Sequence, residues 1–172
     1  MAVPMNSLAT LCVDNIVVSV PKGCKATKAS LKLCVGGGVY DVGVEVSDVV
    51  TPFGIDRVYG KSYMKLSIRN PAEVSKFCDI ERRVAELVAP SVLSSSVSVS
   101  HGKCTVSTML DRNVVIVDSD GRQVSAFAID KNTQFASCRM KLGDVYEMYG
   151  GNNTVTYKWI VTLVQIGLKG NT

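Results

Sequence analysis

One segment with a helical repeat lies in the middle of a chain whose other apolar segments alternate with the two-residue period of β-strands. Apolar residues recur at steps of three and four from Val74 to Leu87, while Asn70 and Pro71 suit a helix start and Pro90 suits its end. The sequence therefore predicts one amphipathic helix over about residues 71–89. Strand patterns with frequent turn signals precede and follow it. They predict a mainly β protein, an OB-like antiparallel β-barrel with this helix between two groups of strands.

The polar face of the predicted helix is interpreted as solvated. Its members between the apolar positions are Lys76, Glu81, Arg82 and Glu86. Glu73 follows Asn70 by three residues, which is the spacing of a capping box. Arg82 and Arg83 are expected to belong to the solvated helix face rather than to a ligand site.

Length and charge limit the remaining choices. With 172 residues, the chain has room for one well-buried core and is predicted to be a single domain over residues 1–172. The formal net charge is only +4, so affinity for polyanions would require clustered cations. Neither a secretion signal nor an apolar segment long enough for a membrane helix is recognisable. The expected location is therefore inside a cell, in the cytoplasm or nucleus, with no membrane partner.

Residues that could carry out catalysis or bind metal are sparse. The six cysteines are far apart and form no C-x-x-C pair, which predicts scattered, reduced and mostly buried thiols. The chain has one histidine, His101, in a glycine-containing turn where a solvated role is expected. The cluster of Asp111, Asp118 and Asp120 lacks the rest of a calcium loop and is interpreted as turn chemistry. We expect no enzymatic activity, no cofactor and no metal site.

The segment from Arg57 to Arg69 alternates between cationic and apolar residues. Because successive side chains of a strand point to opposite faces, one face is predicted to carry Lys61, Tyr63, Lys65 and Arg69. The opposite face would bury Met64, Leu66 and Ile68. A cationic strand face that contains an aromatic ring is typical of a groove for single-stranded nucleic acid. Lysines that protect an exposed strand edge from aggregation are an equally good interpretation.

Other cations follow strand patterns too. Arg139 and Lys141 alternate with apolar neighbours, so two cationic strands could line one groove. In the last strand Tyr157, Trp159, Val161 and Leu163 are expected to share one face, with Lys158 on the other. The densest basic cluster consists of Lys22, Lys25, Lys28 and Lys32, in a loop and at the start of the following strand. These lysines either contact phosphates or are simply solvated, and the sequence supports both interpretations. The candidate nucleic-acid-binding residues are Lys61, Tyr63, Lys65, Arg69, Arg139, Lys141, Tyr149, Lys158, Lys25 and Lys28.

Several segments together resemble the single-stranded-DNA-binding proteins of nucleocytoplasmic large DNA viruses, which are similar to phage OB-fold binders. The matching segments are TPFGI (51–55), SYMKLSIRN (62–70), FCDIERRVAELV (77–88), DRNVVIVDSDGRQVSAF (111–127) and MKLGDVYEMYGGNNTVTYKWIVTLVQI (140–166). The resemblance implies structural roles for Phe53 with Gly54 and for the aromatic pair Tyr149 and Trp159. It implies that Lys61, Lys65 and Arg69 contact the DNA strand.

Two functions are compatible with these patterns. The first is largely sequence-independent binding of single-stranded nucleic acid, with DNA favoured over RNA, in viral replication or repair, with lysines and arginines on phosphates. In it Tyr63, together with Tyr59 or Tyr149, would stack on bases. The alternative is a capsid-like β-sandwich that self-assembles. Open strand edges would also suit a homodimer or a higher homo-oligomer.

Overall fold

The computed structural model describes residues 6–7, 11–19, 28–89, 91–147 and 153–167. These ranges contain one α-helix, α1 (Pro71–Val88), and two short 3-10 helices, Val13–Asn15 and Ala126–Ala128. They also contain fifteen strands: β1 (Asn6–Ser7), β2 (Ile16–Ser19), β3 (Lys28–Val35), β4 (Gly38–Asp41), β5 (Gly43–Thr51), β6 (Ile55–Val58), β7 (Lys61–Ile68), β8 (Val92–Leu93), β9 (Val97–Ser100), β10 (Lys103–Val117), β11 (Gln123–Val124), β12 (Thr133–Leu142), β13 (Val145–Glu147), β14 (Thr154–Thr156) and β15 (Trp159–Ile166).

Five strands of the described chain close into a barrel. Their order is β5-β12-β15-β10-β7, and the single pair of Val50 with Ser67 returns β7 to β5. The pairing of β10 with β15 is parallel and the other four are antiparallel. The predicted OB-like barrel with one helix between strand groups is confirmed, with one parallel pair added. Closure also makes the β-sandwich architecture of the alternative wrong.

A second sheet lies beside the barrel. Within the described ranges its order is β2-β3-β13-β14-β8, and β4 pairs with β3 as a hairpin through Gly36 and Gly37. A 3-10 turn at Val13–Asn15 precedes β2, which is therefore limited to Ile16–Ser19.

One hydrophobic cluster connects the helix with both sheets. Phe77, Ile80 and Val84 of α1 are fully buried, as the helical repeat predicts. Trp159 at the start of β15 also points inward and is fully buried. Its ring meets Phe77 edge to face, with centroids 5.5 Å apart and planes at 88°, a favoured aromatic geometry. The only tryptophan of the sequence is thus a core residue.

The polar face of α1 corrects the sequence prediction, because two of its residues do not face water. Glu81 Oε1 accepts hydrogen bonds from the Tyr157 hydroxyl at 3.0 Å and the Ser96 N–H at 2.7 Å. Lys76 Nζ donates to the Leu11 carbonyl at 2.8 Å. The chain segments around residues 11–16 and 95–97 cover this face and bring backbone groups that need partners. Neighbouring Arg83 is used in the same way, since its Nε donates to the Ile16 carbonyl at 3.2 Å.

The predicted capping box is half formed. The Asn70 side chain accepts a hydrogen bond from the Ala72 N–H at 2.9 Å and caps α1. Glu73 lies instead near Asp48 of β5, where burial and then the Asp48 carboxylate raise its pKa. Its contacts are therefore set by the barrel wall that α1 packs against.

A bulge in β15 changes which residues of that strand point into the core, compared with the sequence prediction. Arg139 lies opposite Leu163 and Met140 opposite Val161, so that Thr162 is an extra residue. The inward positions therefore change from Val161 to Val164, which is fully buried. Leu163, expected beside Trp159 in the core, is only partly buried.

Candidate nucleic-acid interface

Strand β7 shows the alternation predicted from its sequence. Met64, Leu66 and Ile68 are buried in the barrel, each with an exposed fraction of 2% or less. Lys61 and Lys65 are exposed on the outer face, and Tyr63 between them is partly buried. A cationic outer face with an aromatic ring in it is therefore present on β7.

The sheet places apolar side chains beside Tyr63. Tyr63 lies opposite Met109 of β10, and Met109 lies opposite Ile160 of β15. Ile160 in turn lies opposite Lys141 of β12. Since directly opposite residues share one face of a sheet, these four form a row with an apolar middle. Such a row offers an apolar floor to a flat ligand.

A first cleft opens where the loop after β5 reaches β7 and β10. Phe53 in that loop is 67% exposed. Gly54 has a positive φ of 71°, and a Cβ there would lie 3.3 Å from the Asp130 carbonyl carbon, so glycine is required. The cleft has a volume of about 270 Å³. It is lined by Phe53, Gly54, Asp56, Tyr63, Met64, Lys65, Ser107, Thr108 and Lys158.

A second cleft of about 420 Å³ adjoins the first, and both are lined by Tyr63 and Lys158. Tyr146 of β13 forms part of its wall. Burial, and then nearby Tyr63, raise the pKa of Tyr146, so its phenol stays neutral at physiological pH. The residues that line it are Lys61, Tyr63, Met109, Gly143, Asp144, Tyr146, Lys158 and Ile160.

Glycine at position 143 sets the position of Lys158. The Gly143 N–H donates a hydrogen bond of 2.8 Å to the Lys158 carbonyl. A Cβ on residue 143 would lie only 2.8 Å from that same oxygen. Buried Trp159 then fixes the backbone on the other side of Lys158. The lysine is thus held at the junction of the two clefts by backbone packing.

The electrostatics of the clefts are cationic but partly balanced. Lys61, Lys65 and Lys158 have no ion-pair partner in the part of the chain that the structure describes. Asp56 lines the first cleft and Asp144 the second. Three lysines against two aspartates leave a small excess of positive charge. Aromatic and apolar contacts must therefore supply much of any affinity.

Other predicted site residues lie elsewhere. Arg139 forms an ion pair of 3.1 Å with Glu45 and lines neither cleft. Arg69 is exposed beyond the end of β7, and Lys141 is one strand away from the second cleft. Lys28 occupies the backbone position opposite Tyr146. Three further residues lie outside the described part of the chain: Lys22, Lys25 and Tyr149. Lys32 forms an ion pair of 2.6 Å with Asp41.

The sequence analysis did not single out the apolar floor. Outward-facing Ile160 could have been identified from the inward position of Trp159, because neighbours of an inward residue face outward. Met109 likewise lies between two buried residues, Thr108 and Leu110. What the sequence does not contain is the register that brings them beside Tyr63.

In the described ranges, no group of three or more His, Cys, Asp or Glu residues could hold a metal ion. Asp118 Oδ1 accepts 2.9 Å hydrogen bonds from the Asp120 and Arg122 N–H groups, which confirms the expected turn. The helix that the structure describes is not long and apolar enough to cross a membrane.

Comparison with known proteins gives structural matches only. No protein-family model matches the sequence, and no curated protein matches it. A C-terminal truncation of the single-stranded DNA-binding protein from bacteriophage Enc34 is similar with a TM-score of 0.55 at 13% identity, over 92% of this chain and 96% of that one.

Two further solved structures show the same likeness. The Enc34 protein in complex with ssDNA matches with a TM-score of 0.52 at 12% identity, over 92% and 98% of the two chains. The protein gp2.5, a single-stranded DNA-binding protein encoded by bacteriophage T7, matches with a TM-score of 0.51 at 14% identity, over 77% and 91%. All three come from bacteriophages, so the resemblance to large DNA viruses stays a prediction. At these identities, the likeness establishes that the chain has the OB-like fold of these phage proteins.

Proposed function

We propose that this protein binds single-stranded DNA, with little sequence preference, in the first and second clefts. Lys65, Lys158 and Lys61 bind successive phosphates, while bases stack on Tyr63 and on the exposed ring of Phe53. Stacking is tolerant of sequence because every base has a π-face. No catalytic step is part of this proposal.

The observation that carries the proposal is the junction of the clefts. Tyr63 of β7 and Lys158, which immediately precedes β15, line both clefts, with Lys65 on one side and Lys61 on the other. An edge-protecting role would not require an aromatic ring and an apolar floor between the lysines. In OB folds generally, the face of the second and third barrel strands binds oligonucleotides. Here those strands are β7 and β10.

The fold neighbours support DNA as the ligand. The phage proteins of similar fold are described as single-stranded DNA-binding, and one was solved with ssDNA. We therefore favour DNA over RNA and a role in replication or repair of a viral genome. Self-association into a homodimer or higher oligomer stays a separate prediction.

Fluorescence anisotropy with a labelled oligo-dT of about 30 nucleotides tests the proposal. Replacement of Lys65 and Lys158 together by alanine is expected to weaken binding at least tenfold. Loss of two phosphate contacts should also reduce the slope of log affinity against log salt by about 1.4. Tyr63→Ala should weaken binding by about 1 to 3 kcal/mol for each base that loses its stacking partner, with the slope unchanged.

Lys103→Ala is the matched control for the lysines. Lys103 is an exposed lysine at the start of β10 and lines neither cleft. The Lys103→Ala variant should bind oligo-dT like the unmodified protein. Binding that is unaffected by the double substitution would contradict the proposal, as would equal effects of all three lysines. No binding to oligo-dT even at about 50 mM salt would leave self-assembly as the working hypothesis.

A further inference from the structure

A third cleft of about 510 Å³ adjoins the second where two strands separate. The ladder between β7 and β10 ends at the pair of Tyr63 with Met109. The pairing of β10 with β15 is interrupted just beyond, after Leu110. The gap between the diverging strands is the cleft. It is lined by Gly60, Lys61, Ser62, Met109, Leu110, Asp111, Arg112, Val114, Ala126 and Ile160.

The third cleft continues the second without a break. Lys61, Met109 and Ile160 line both. The lining adds apolar Leu110, Val114 and Ala126 to the apolar pair that the two clefts share. The apolar floor beside Tyr63 therefore extends past the end of the β7–β10 ladder.

An irregularity in β10 places an arginine on this cleft. Leu110 lies opposite Val161 and Val115 opposite Leu163, so that four residues, 111–114, are matched by one residue of β15. Bulges of this kind redirect side chains and are common next to binding sites. Arg112, within this bulge, is exposed and has no ion-pair partner among the described residues. The carboxylate of Asp111 lines the same cleft.

An aromatic ring lies at the rim. Phe127 follows cleft-lining Ala126 and is 79% exposed. The Arg57 guanidinium carbon lies 4.8 Å from the centre of its ring, a cation–π distance. Arg57 is opposite Ser62, which lines the cleft. This contact holds an otherwise exposed ring in place beside the opening.

We propose that a DNA strand bound in the first two clefts continues into the third, where one base enters the apolar gap and Arg112 binds the adjacent phosphate. This inference rests on the proposed function. Continuity of the floor gives the path, and the arginine at its end gives the charge that a further phosphate requires. Phe127 provides a stacking surface where the strand leaves the cleft.

Two variants test this extension separately from the rest of the site. Arg112→Ala is expected to weaken binding of oligo-dT of about 30 nucleotides three- to tenfold and to reduce the salt slope by about 0.7, the value of one phosphate on a single strand. Ala126→Leu fills part of the gap without changing charge. It should weaken the same binding with an unchanged slope. Urea unfolding of both variants verifies that they fold.

Arg122→Ala is the control, because Arg122 is exposed in the turn after β10 and lines none of the three clefts. The critical result is that Arg112→Ala and Ala126→Leu bind oligo-dT as tightly as the control while the unmodified protein binds well. The bound DNA strand would then end at the second cleft. That result would overturn this inference and leave the proposed function intact. Failure of the unmodified protein to bind oligo-dT would overturn both.

Discussion

At the scale of single residues, Glu81 joins three parts of the chain. Its Oε1 accepts from Tyr157, from the Ser96 N–H and from the Val97 N–H at 3.2 Å, and its Oε2 from the Ser95 hydroxyl. The carboxylate belongs to α1, while its donors belong to residues 95–97, where β9 begins, and to the segment before β15. A partly buried carboxylate with this many donors is well compensated, and its removal leaves several donors unsatisfied.

Glu81→Gln should lower the free energy of unfolding by about 1.5 to 3 kcal/mol, the range for hydrogen bonds to a charged group. Tyr157→Phe, which removes one donor only, should cost about 1 kcal/mol. Urea unfolding followed by tryptophan fluorescence measures both, because Trp159 adjoins Tyr157.

Glu86→Gln is the matched control on the same helix. Glu86 is exposed and lies 3.5 Å from Arg83 in a surface ion pair, so its replacement should change stability by less than about 1 kcal/mol. Equal effects at positions 81 and 86 would mean that the network around Glu81 contributes nothing beyond surface charge.

At the scale of elements, two hairpins have an unusual residue at the first position of their turn. Tyr59–Gly60 connects β6 to β7 with φ values of 50° and 76°, and His101–Gly102 connects β9 to β10 with 50° and 75°. Both are two-residue turns with positive φ at both positions, for which Asn-Gly is the preferred sequence. Tyrosine and histidine therefore adopt a left-handed conformation that disfavours them. Only the first turn lies at the candidate site, and Tyr59 there is completely exposed.

Tyr59→Asn is expected to stabilise the fold by about 1 kcal/mol by relieving this strain. If the ring of Tyr59 stacks on a base, the same change should weaken oligo-dT binding, so that stability and affinity move in opposite directions. Thermal unfolding and anisotropy measure the two effects.

His101→Asn serves as the internal reference for the turn. It should give a similar gain in stability with no change in binding, because His101 lines none of the clefts. Unchanged binding by Tyr59→Asn would remove Tyr59 from the proposed contact surface.

The elements also show what the sequence could and could not predict. The outward face of β7 and the inward position of Trp159 follow from a local two-residue period, so both were predictable. The partners of Glu81 and Lys76 were not, because they come from segments distant in sequence. Arg112 and Leu163 depend on irregularities in β10 and β15, and a single inserted residue reverses every later face. The register that brings Met109 and Ile160 beside Tyr63 is likewise non-local.

At the scale of the whole molecule, the core contains groups that ionise in alkaline solution. Burial raises the pKa of Cys104 from 9.0 to about 11 and that of Cys138 from 9.0 to about 12. Burial, followed by Glu81, also raises the pKa of Tyr157 well above 10.0. The folded protein keeps these protons at a pH where the unfolded chain releases them. Their contribution to stability is therefore present below pH 9 and is lost as the pH rises towards 12.

The free energy of unfolding should fall between pH 9 and pH 11, by up to about 1.4 kcal/mol per pH unit for each proton involved. Urea titrations at pH 8, 9, 10 and 11 measure the slope. Cys138→Ala should lower stability at pH 8 because packing is lost, yet make the alkaline decline less steep.

Replacement of an exposed thiol provides the comparison. Cys34 is exposed on β3, and Cys34→Ala should leave the alkaline slope as it is. A slope that is the same in all three proteins would mean that the Cys138 thiol does not remain protonated in the folded state.

The position of β15 also determines when the clefts form during synthesis of the chain. This strand inserts between β12 and β10 and carries Ile160, while Lys158 immediately precedes it. The ribosome synthesises β7, β10 and β12 before residues 158–166 emerge. Until then β10 and β12 lack β15, the strand that pairs with both of them. Such long-range pairing is slow to form. A nascent chain accordingly has no complete cleft, and the proposed DNA binding requires a closed barrel.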